Sequence, residues 1–170
     1  AMLFFGDRES DAAEATRALR FSNAYSAWIA RLAGARHELA AALDATAMAA
    51  SAETAATADD AQIRRWVARV GRTRAEAFFQ LNVAWWSAQA GRPSGESIAR
   101  RAVEIAYRDP IELADLAVDG DDLRAAGIPV GPRLGVVLQV LLGAVLTDPS
   151  RNTVTTLIEL AMNHEHHTAP

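Results

Sequence analysis

The chain has 170 residues, 51% of them hydrophobic, which is enough to bury one core or two small helical subdomains that share an interface. Its formal net charge of -4 argues against a uniformly basic surface and leaves room for local patches of arginine, since the chain has no lysine. The absence of cysteine excludes disulfides and thiolate metal sites and suits a cytoplasmic protein. The longest apolar run, residues 135–146, contains Gln139 and is shorter than the roughly 20 residues of a membrane span, so we expect no membrane partner.

Helical periodicity dominates the chain, and no convincing run of alternating polar and apolar residues predicts a strand. The first helix is predicted over about residues 7–20. The pair Ser22-Asn23 can cap a second helix, and Gly34 is expected to mark its end. The alanine-rich stretch that follows favours helix but offers little to pack, and residues 51–57 are predicted to form a mobile loop.

Two hydroxyl-carboxylate pairs have the spacing of a capping box, in which each side chain binds a free amide at a helix start. Thr57 with Asp60 and Thr73 with Glu76 predict helices that begin near residues 58 and 74. The second of these helices is expected to end at the sequence Gly-Arg-Pro93. Its predicted apolar face consists of Phe78, Leu81, Trp85 and Ala88.

Three further long helices are predicted in the second half of the chain. The first covers about residues 95–107 and is stopped by an Asp-Pro pair that ends at Pro110. The next covers residues 132–147, where the leading proline fits the first turn of a helix. The last covers about residues 153–162.

These elements predict an all-α fold, a multi-helix bundle with a C-terminal helical subdomain. We expect residues 1–110 to form a helical body-like region. Residues 111–170 are expected to form a helical tail-like region that contains a helix-hairpin-helix connection.

The sequence DLAVDGDDLRAAGIPVGPRLG predicts a short helix joined to a long one by a tight turn. Asp121 or Asp122 is expected to cap the short helix, Gly127 to end it, and Gly131 to precede the long one. Such a turn would aim free backbone amides outward from the start of the long helix, which can hold a backbone phosphate, and Arg133 would add charge. An ordinary helix-turn-helix connection is the alternative interpretation.

In the helix predicted to begin near residue 58, apolar side chains cluster on one side and arginines on the other, at about 100° per residue. This arginine stripe is Arg65, Arg69 and Arg72. Arginines beside it could extend a track for the phosphates of RNA: Arg64, Arg74, Arg100 and Arg101. A solvated charged face explains the pattern alone equally well.

Aromatic side chains of the next helix offer two interpretations. Phe79 and Trp86 could stack on unpaired bases, although such residues more often fill a core. Phe78 and Trp85 are expected in the core.

Histidines of this chain give little support for a metal site. His37 lacks a second histidine one helical turn later, as a zinc site would need, so we expect it on the surface. The histidine-rich residues 163–167 could chelate nickel or zinc, but a frayed terminus is the more ordinary interpretation.

The last third of the chain resembles a known signature. It contains DLAVDGDDL, then GIPVGPRLG, an aliphatic helix that ends in VLTDP, and Arg-Asn-Thr shortly before Leu157. These motifs resemble the C-terminal signature of bacterial CCA-adding tRNA nucleotidyltransferases and their poly(A) polymerase relatives, over about residues 113–160. Upstream, Phe5-Gly6, the sequence LRFSN that ends at Asn23, and His37 are more loosely similar to the segment that follows the histidine-aspartate domain of that family.

In that family a head domain adds C, C and A to the 3′ end of tRNA, and the helical body and tail hold the tRNA. The resemblance implies the holding role for this chain, with tRNA and a head domain as its partners. The Gly-Ser turn and paired aspartates of the head are missing, and we interpret Asp119 and Asp121 as helix-capping residues. The chain is therefore expected to be inactive alone and to hold no cofactor, with Mg²⁺ implied for the head. The candidate RNA-binding residues are Arg64, Arg65, Arg69, Arg72, Arg100, Arg101, Gly127, Gly131 and Arg133.

Two other functions compete with this one. The alanine-rich helix and exposed aromatic residues could form an all-helical protein-interaction or dimerisation module without RNA binding, in which the partner would be a second copy of the chain in a homodimer. A degenerate histidine-aspartate hydrolase is the other, but Asp7 stands where related proteins have a histidine, and the histidine-aspartate pair is absent.

Overall fold

The structure, a computed structural model, describes residues 9–51, 59–129 and 131–168. Within these ranges the chain forms eight helices and no strand, so the predicted all-α multi-helix bundle is confirmed. The helices are α1 (Glu9–Ala18), α2 (Asn23–Ser51), α3 (Asp60–Val70), α4 (Arg72–Ala90), α5 (Glu96–Arg108), α6 (Gly120–Ala125), α7 (Pro132–Thr147) and α8 (Val154–Thr168). Single 3-10 turns lie at Leu113–Asp115 and Pro149–Arg151.

The first two helices meet at a turn that Ser22 caps. Its hydroxyl oxygen accepts a hydrogen bond from the Tyr25 N–H at 3.3 Å, so the predicted cap is confirmed. Gly34 does not end α2, which continues to Ser51, and that prediction is wrong. One glycine costs a helix about 1 kcal/mol. Burial of neighbouring side chains such as Leu32 (5% exposed) more than offsets that cost.

α3 begins two residues later than the predicted start, at Asp60. Its cap is Asp59, whose carboxylate accepts the Ala61 N–H at 3.2 Å. Thr57, the predicted cap, and the predicted loop from residue 52 onward lie outside the described residues.

α4 begins at Arg72, before the predicted start near residue 74, and no side chain caps it, so the predicted capping box of Thr73 is wrong. Gly71 is the reason, because its φ of +90° turns the chain sharply between α3 and α4. The Arg74 N–H donates to the Gly71 carbonyl at 3.0 Å, so the first turn of α4 forms directly after the glycine.

α4 is buried over a wider face than the predicted one. Phe78 is fully buried as expected, but Phe79 (0% exposed) and Trp86 (5% exposed) are buried as well, whereas Trp85 is only partly buried. The Trp86 indole N–H donates to Asp44 of α2 at 2.8 Å. The hypothesis that Phe79 and Trp86 stack on bases is therefore wrong, because α2, α3 and α5 all pack against α4 and cover both rings.

Two hydrophobic clusters form the core. The larger joins α2, α3, α4 and α5 and includes Leu142 and Leu146 of α7. The smaller joins α6, α7 and α8 and includes Leu141, Val145 and Leu157. α7 thus contributes one side to each cluster and connects the body-like and tail-like regions through its own packing.

Candidate nucleic-acid interface

Charged side chains are unevenly distributed along the chain. Residues 59–110 contain nine arginines against six acidic residues, an excess of three positive charges. Residues 111–168 contain three arginines against eight acidic residues, an excess of five negative charges. A polyanion is therefore favoured near α3, α4 and α5 and disfavoured near the tail-like region.

Arg64 is occupied by contacts that hold the fold. Only 9% exposed, it donates from Nε to the Asp109 carboxylate at 2.6 Å and from a terminal nitrogen to the Leu146 carbonyl at 3.3 Å. These bonds tie α3 to the ends of α5 and α7. The guanidinium group is directed inward and is not available to a phosphate in this arrangement.

Arg72 was predicted on the same exposed stripe as Arg65, and this prediction is wrong, because α3 ends before it and Arg72 turns toward α5. Its guanidinium donates to the Asp115 carboxylate at 2.6 Å and to the Ala106 carbonyl. Burial acts to raise the pKa of Asp115, but the N–H groups of residues 111 and 112 and the Arg72 guanidinium outweigh it and hold that pKa below its usual value. Arg72 therefore joins the start of α4 to the segment after α5.

Arg101 joins α5 to the start of α3. Its guanidinium forms a two-pronged ion pair with Asp60, at 2.8 and 2.5 Å, and a further pair with Glu104 at 2.9 Å. The hydrogen bonds from Arg101 hold the pKa of Asp60 below its usual value, and the two carboxylates raise the pKa of Arg101. Two carboxylates already compensate this arginine, so it adds little attraction for RNA.

Arg100 is exposed but lies among glutamates. It lines a groove of about 520 Å³ between α4 and α5 together with Glu76, Glu96 and Glu104. Three carboxylates against one guanidinium make the groove negative, which disfavours a phosphate there.

Arg65 and Arg69 are the arginines of the predicted stripe that project from α3 into solvent. Arg65 is exposed, and its one hydrogen bond among the described residues goes to the amide oxygen of Gln62 at 3.1 Å. Arg69 is 62% exposed at its side chain and pairs at 2.5 Å with Glu38 of α2, itself 50% exposed. Because an exposed pair of this kind contributes about 0–1 kcal/mol, a phosphate can replace Glu38 at little cost.

The short helix α6 is capped two or three residues earlier than predicted. Asp119, not Asp121 or Asp122, accepts the N–H groups of the next turn, at 2.8 and 3.1 Å, and Asp122 in return accepts the Asp119 N–H at 2.9 Å. These amide hydrogen bonds hold the pKa of Asp119 below its usual value. The interpretation of Asp119 as a capping residue agrees with this geometry.

The two glycines that bound the predicted phosphate-binding turn, Gly127 and Gly131, are exposed. Gly127 ends α6 with φ +94°, and the N–H of Ile128 donates back to the Leu123 carbonyl at 3.0 Å, so the predicted glycine stop is confirmed. Gly131 is exposed, and the Arg133 side chain is 56% exposed with a terminal nitrogen 3.8 Å from Glu165. The capping aspartates of α6 lie beside this turn, so its field is less favourable to phosphate than that of the outer face of α3.

The carboxylates that form ion pairs with Arg64, Arg72 and Arg101 were not predicted from the sequence. The three partners are Asp60, Asp109 and Asp115, which lie 41 to 45 residues from the arginines that they bind. Asp60 and Asp109 stand at or beside the end of a predicted helix, where a capping role is an equally good interpretation, and Asp115 lies in a 3-10 turn that the sequence did not predict. The packing of α3 against α5 brings Asp60 and Asp109 to their arginines, and the chain reversal after α5 brings Asp115 to Arg72 at the start of α4.

No group of three or more histidine, cysteine, aspartate or glutamate residues in the described ranges could hold a metal ion. His37 is exposed, as expected. None of the helices in the described ranges is long and apolar enough to span a membrane. No protein-family model, no curated protein and no solved structure matches the chain.

Proposed function

We propose that this chain is the RNA-holding helical portion of a CCA-adding tRNA nucleotidyltransferase and that it contacts the sugar-phosphate backbone of tRNA through the outer face of α3. The motifs of residues 113–160 support the family. The exposed pair Arg65 and Arg69 supports the location of the contact.

Arg65 is the observation that carries this proposal. It is exposed, it has no carboxylate partner among the described residues, and it stands one helical turn from Arg69. The Cβ atoms of residues four apart on a helix are about 6 Å apart, so the two side chains can contact neighbouring phosphates of one strand. Backbone contact of this kind suits double-helical RNA, whose deep major groove side chains cannot read.

Gly127, Gly131 and Arg133 form a second, weaker contact in this proposal. Arg133 lies thirteen residues from Leu146 along α7, a distance of about 20 Å. Because of this separation, a tRNA that binds the outer face of α3 would contact the turn before α7 with a different part of its own length.

Titration of the whole chain with tRNA at several salt concentrations tests this function. We expect affinity to fall steeply with salt, and the double variant Arg65→Ala, Arg69→Ala should lower the slope of log affinity against log salt by about 2, since each lost phosphate contact removes about 0.9. Arg151→Ala is a matched control, because Arg151 is also an exposed arginine in one surface ion pair, at 3.6 Å from Asp148, but it lies in the acidic region.

Binding that does not respond to salt, or an equal loss with Arg151→Ala, would count against the proposal. Charge reversal at Arg65 is expected to weaken binding of all tRNAs alike, because backbone contacts do not read sequence.

A second candidate is a homodimerisation module, which exposed apolar residues on α7 favour. Val136 (56% exposed) and Val140 (41% exposed) stand one turn apart on the outer side of α7. If the chain is a homodimerisation module, sedimentation should show a dimer, and Val136→Glu should convert it to a monomer. A dimer that forms no complex with tRNA in the same preparation would favour this candidate over the first.

A further inference from the structure

An exposed row of aromatic rings lies where α1 meets α2. Phe21 is 44% exposed and Tyr25 is 50% exposed, and their rings meet edge to face at 5.3 Å. Tyr25 in turn lies nearly parallel to the partly buried Trp28, with ring centroids 5.7 Å apart and planes 18° apart. We call Phe21, Tyr25 and Trp28 the aromatic row. Trp28 packs against Tyr25, and Tyr25 against Phe21, while Phe21 and Tyr25 keep open surface toward solvent.

The backbone fixes this row in place. The N–H of Arg20 donates to the Arg17 carbonyl at 3.0 Å, and the N–H of Phe21 donates to the Thr16 carbonyl at 3.1 Å. These two bonds form the paired closure of a helix end in which one residue takes the left-handed conformation, usually glycine. Arg20 takes it here, with φ +59°, and is the one residue other than glycine with positive φ among the described residues. A charged side chain thus stands where the turn itself would favour glycine.

Two arginines lie next to the row along the chain. Arg17 and Arg20 are exposed, and neither guanidinium has a hydrogen bond or an ion pair with any residue that the structure describes. Guanidinium groups bind phosphate with two donors and also stack on flat rings. Proteins that bind single-stranded nucleic acids combine aromatic rings, on which a base stacks, with basic side chains that contact its phosphate.

The size of the patch favours a nucleotide over a protein partner. An aromatic side chain presents about 150–250 Å² when fully exposed, so the half-exposed Phe21 and Tyr25 offer roughly 200 Å² together. A stable protein interface buries about 800 Å² on each partner. Leu19, 51% exposed, enlarges the patch only slightly.

We infer that Phe21 and Tyr25, with Arg17 and Arg20, form a binding site for an unpaired nucleotide of a single-stranded nucleic acid. This site is separate from the α3 face, since Tyr25 and Glu38, the α2 partner of Arg69, lie thirteen residues apart, about 20 Å along the helix. It takes unpaired bases, whereas the α3 face takes the backbone of a double helix. Binding at either site can therefore be disproved while binding at the other is retained.

The test uses the whole chain and a fluorescent oligouridine of about eight nucleotides, with anisotropy as the measurement. Leucine replacements keep apolar bulk but remove the flat ring, so Phe21→Leu and Tyr25→Leu are each expected to lower affinity at least about fivefold. Tyr107→Leu is the matched control, because Tyr107 is an exposed tyrosine (68%) on α5, away from the row. The deoxyuridine oligomer of equal length distinguishes an RNA-selective site from one that accepts any unpaired strand.

A second variant separates binding from folding. Arg20→Gly suits the left-handed turn, so the melting temperature should be kept or slightly raised while affinity for the oligomer falls. Together with Arg17→Ala it should lower the salt slope by about 1.4, the value for two phosphates of a single strand.

The inference is overturned if the wild-type chain does not bind the oligomer, or if Tyr25→Leu binds as well as the wild type. It is overturned as well if Tyr107→Leu loses as much affinity as Tyr25→Leu. Sedimentation that shows Tyr25→Ala breaking a dimer would instead identify the row as a contact between copies of the chain. Failure of duplex RNA to bind would contradict the function proposed for α3 and leave this result standing.

Discussion

Arg64 and Arg65 are adjacent on α3 yet have opposite surroundings, and their alanine variants separate structural from functional arginines. Arg64 binds Asp109 and the Leu146 carbonyl from a buried position, whereas Arg65 is exposed and, among the residues that the structure describes, binds Gln62 alone. Arg64→Ala would leave a partly buried carboxylate without its cation and a carbonyl without its donor. Arg65→Ala would remove an exposed side chain from the same helix, with the same change in helix propensity.

The expected losses follow from burial. Breaking a buried ion pair by removal of one partner costs about 3–5 kcal/mol. The Arg64 and Asp109 side chains keep 11% and 21% of their surface exposed, so we expect a smaller loss, of about 2–3 kcal/mol. For a chain of this size, each kcal/mol lowers Tm by about 2–4 °C, which gives a decrease of roughly 4–12 °C. Arg65→Ala should change the free energy of unfolding by less than about 0.5 kcal/mol.

Urea unfolding followed by far-UV circular dichroism measures both variants. Arg64→Met is an additional control, because it keeps the aliphatic packing of the side chain and removes only the charge and donors. We expect it to lose most of the stability that Arg64→Ala loses. Equal stability of Arg64→Ala and Arg65→Ala would refute the assignment of Arg64 to the fold, and with it the division of the stripe into inward and outward arginines.

Three further predictions concern stability. Gly95→Ala should lower the free energy of unfolding in urea by about 3 kcal/mol or more, because φ is +81° and the new methyl would lie 2.1 Å from the Trp86 ring. Gly91→Ala should cost about 1–2 kcal/mol, because φ is +64° but the space around the residue is open. A larger loss for Gly91→Ala than for Gly95→Ala would contradict the packing argument. The lowered pKa of Asp115 stabilises the fold above the ordinary pKa of 3.8, and this contribution disappears as pH falls through the folded value. Asp115→Asn should therefore flatten the decrease of Tm below about pH 4, and an unchanged decrease would exclude this carboxylate as a cause of acid sensitivity. Asp59→Ala removes the cap of α3 and should cost about 1 kcal/mol, and unaltered thermal unfolding would show that its hydrogen bond contributes nothing.

Helix ends that depend on local chemistry were predictable from the sequence. α7 occupies Pro132–Thr147 as predicted, because proline fits a first helical turn and the Asp-Pro pair that follows cannot continue it. α5 begins and ends within one residue of its prediction, and an Asp-Pro pair stops it in the same way. In each case the signal and the structure that it determines lie within a few residues of one another.

Helix ends that depend on neighbours were not predictable in this way. Gly34 is a weak helix former, yet α2 runs through it because its flanking side chains are buried against other helices. The start of α4 depends on the positive φ of Gly71 and not on the Thr73 pair. The buried side of α4 is wide because three helices cover it, which no periodicity within α4 records.

The candidate site also has some features that follow from local sequence and others that depend on tertiary contacts. From its sequence alone, this protein is an all-α chain with a run of arginines on α3 and a glycine-bounded turn before α7, since periodicity, caps and stops act over one or two helical turns. Periodicity also predicts that Arg65 and Arg69 face outward, which the structure confirms. Tertiary structure alone decides that Arg64 and Arg72 face inward. The physical reason is that the carboxylates of Asp109 and Asp115, 45 and 43 residues away in the chain, reach those arginines only after the helices have packed.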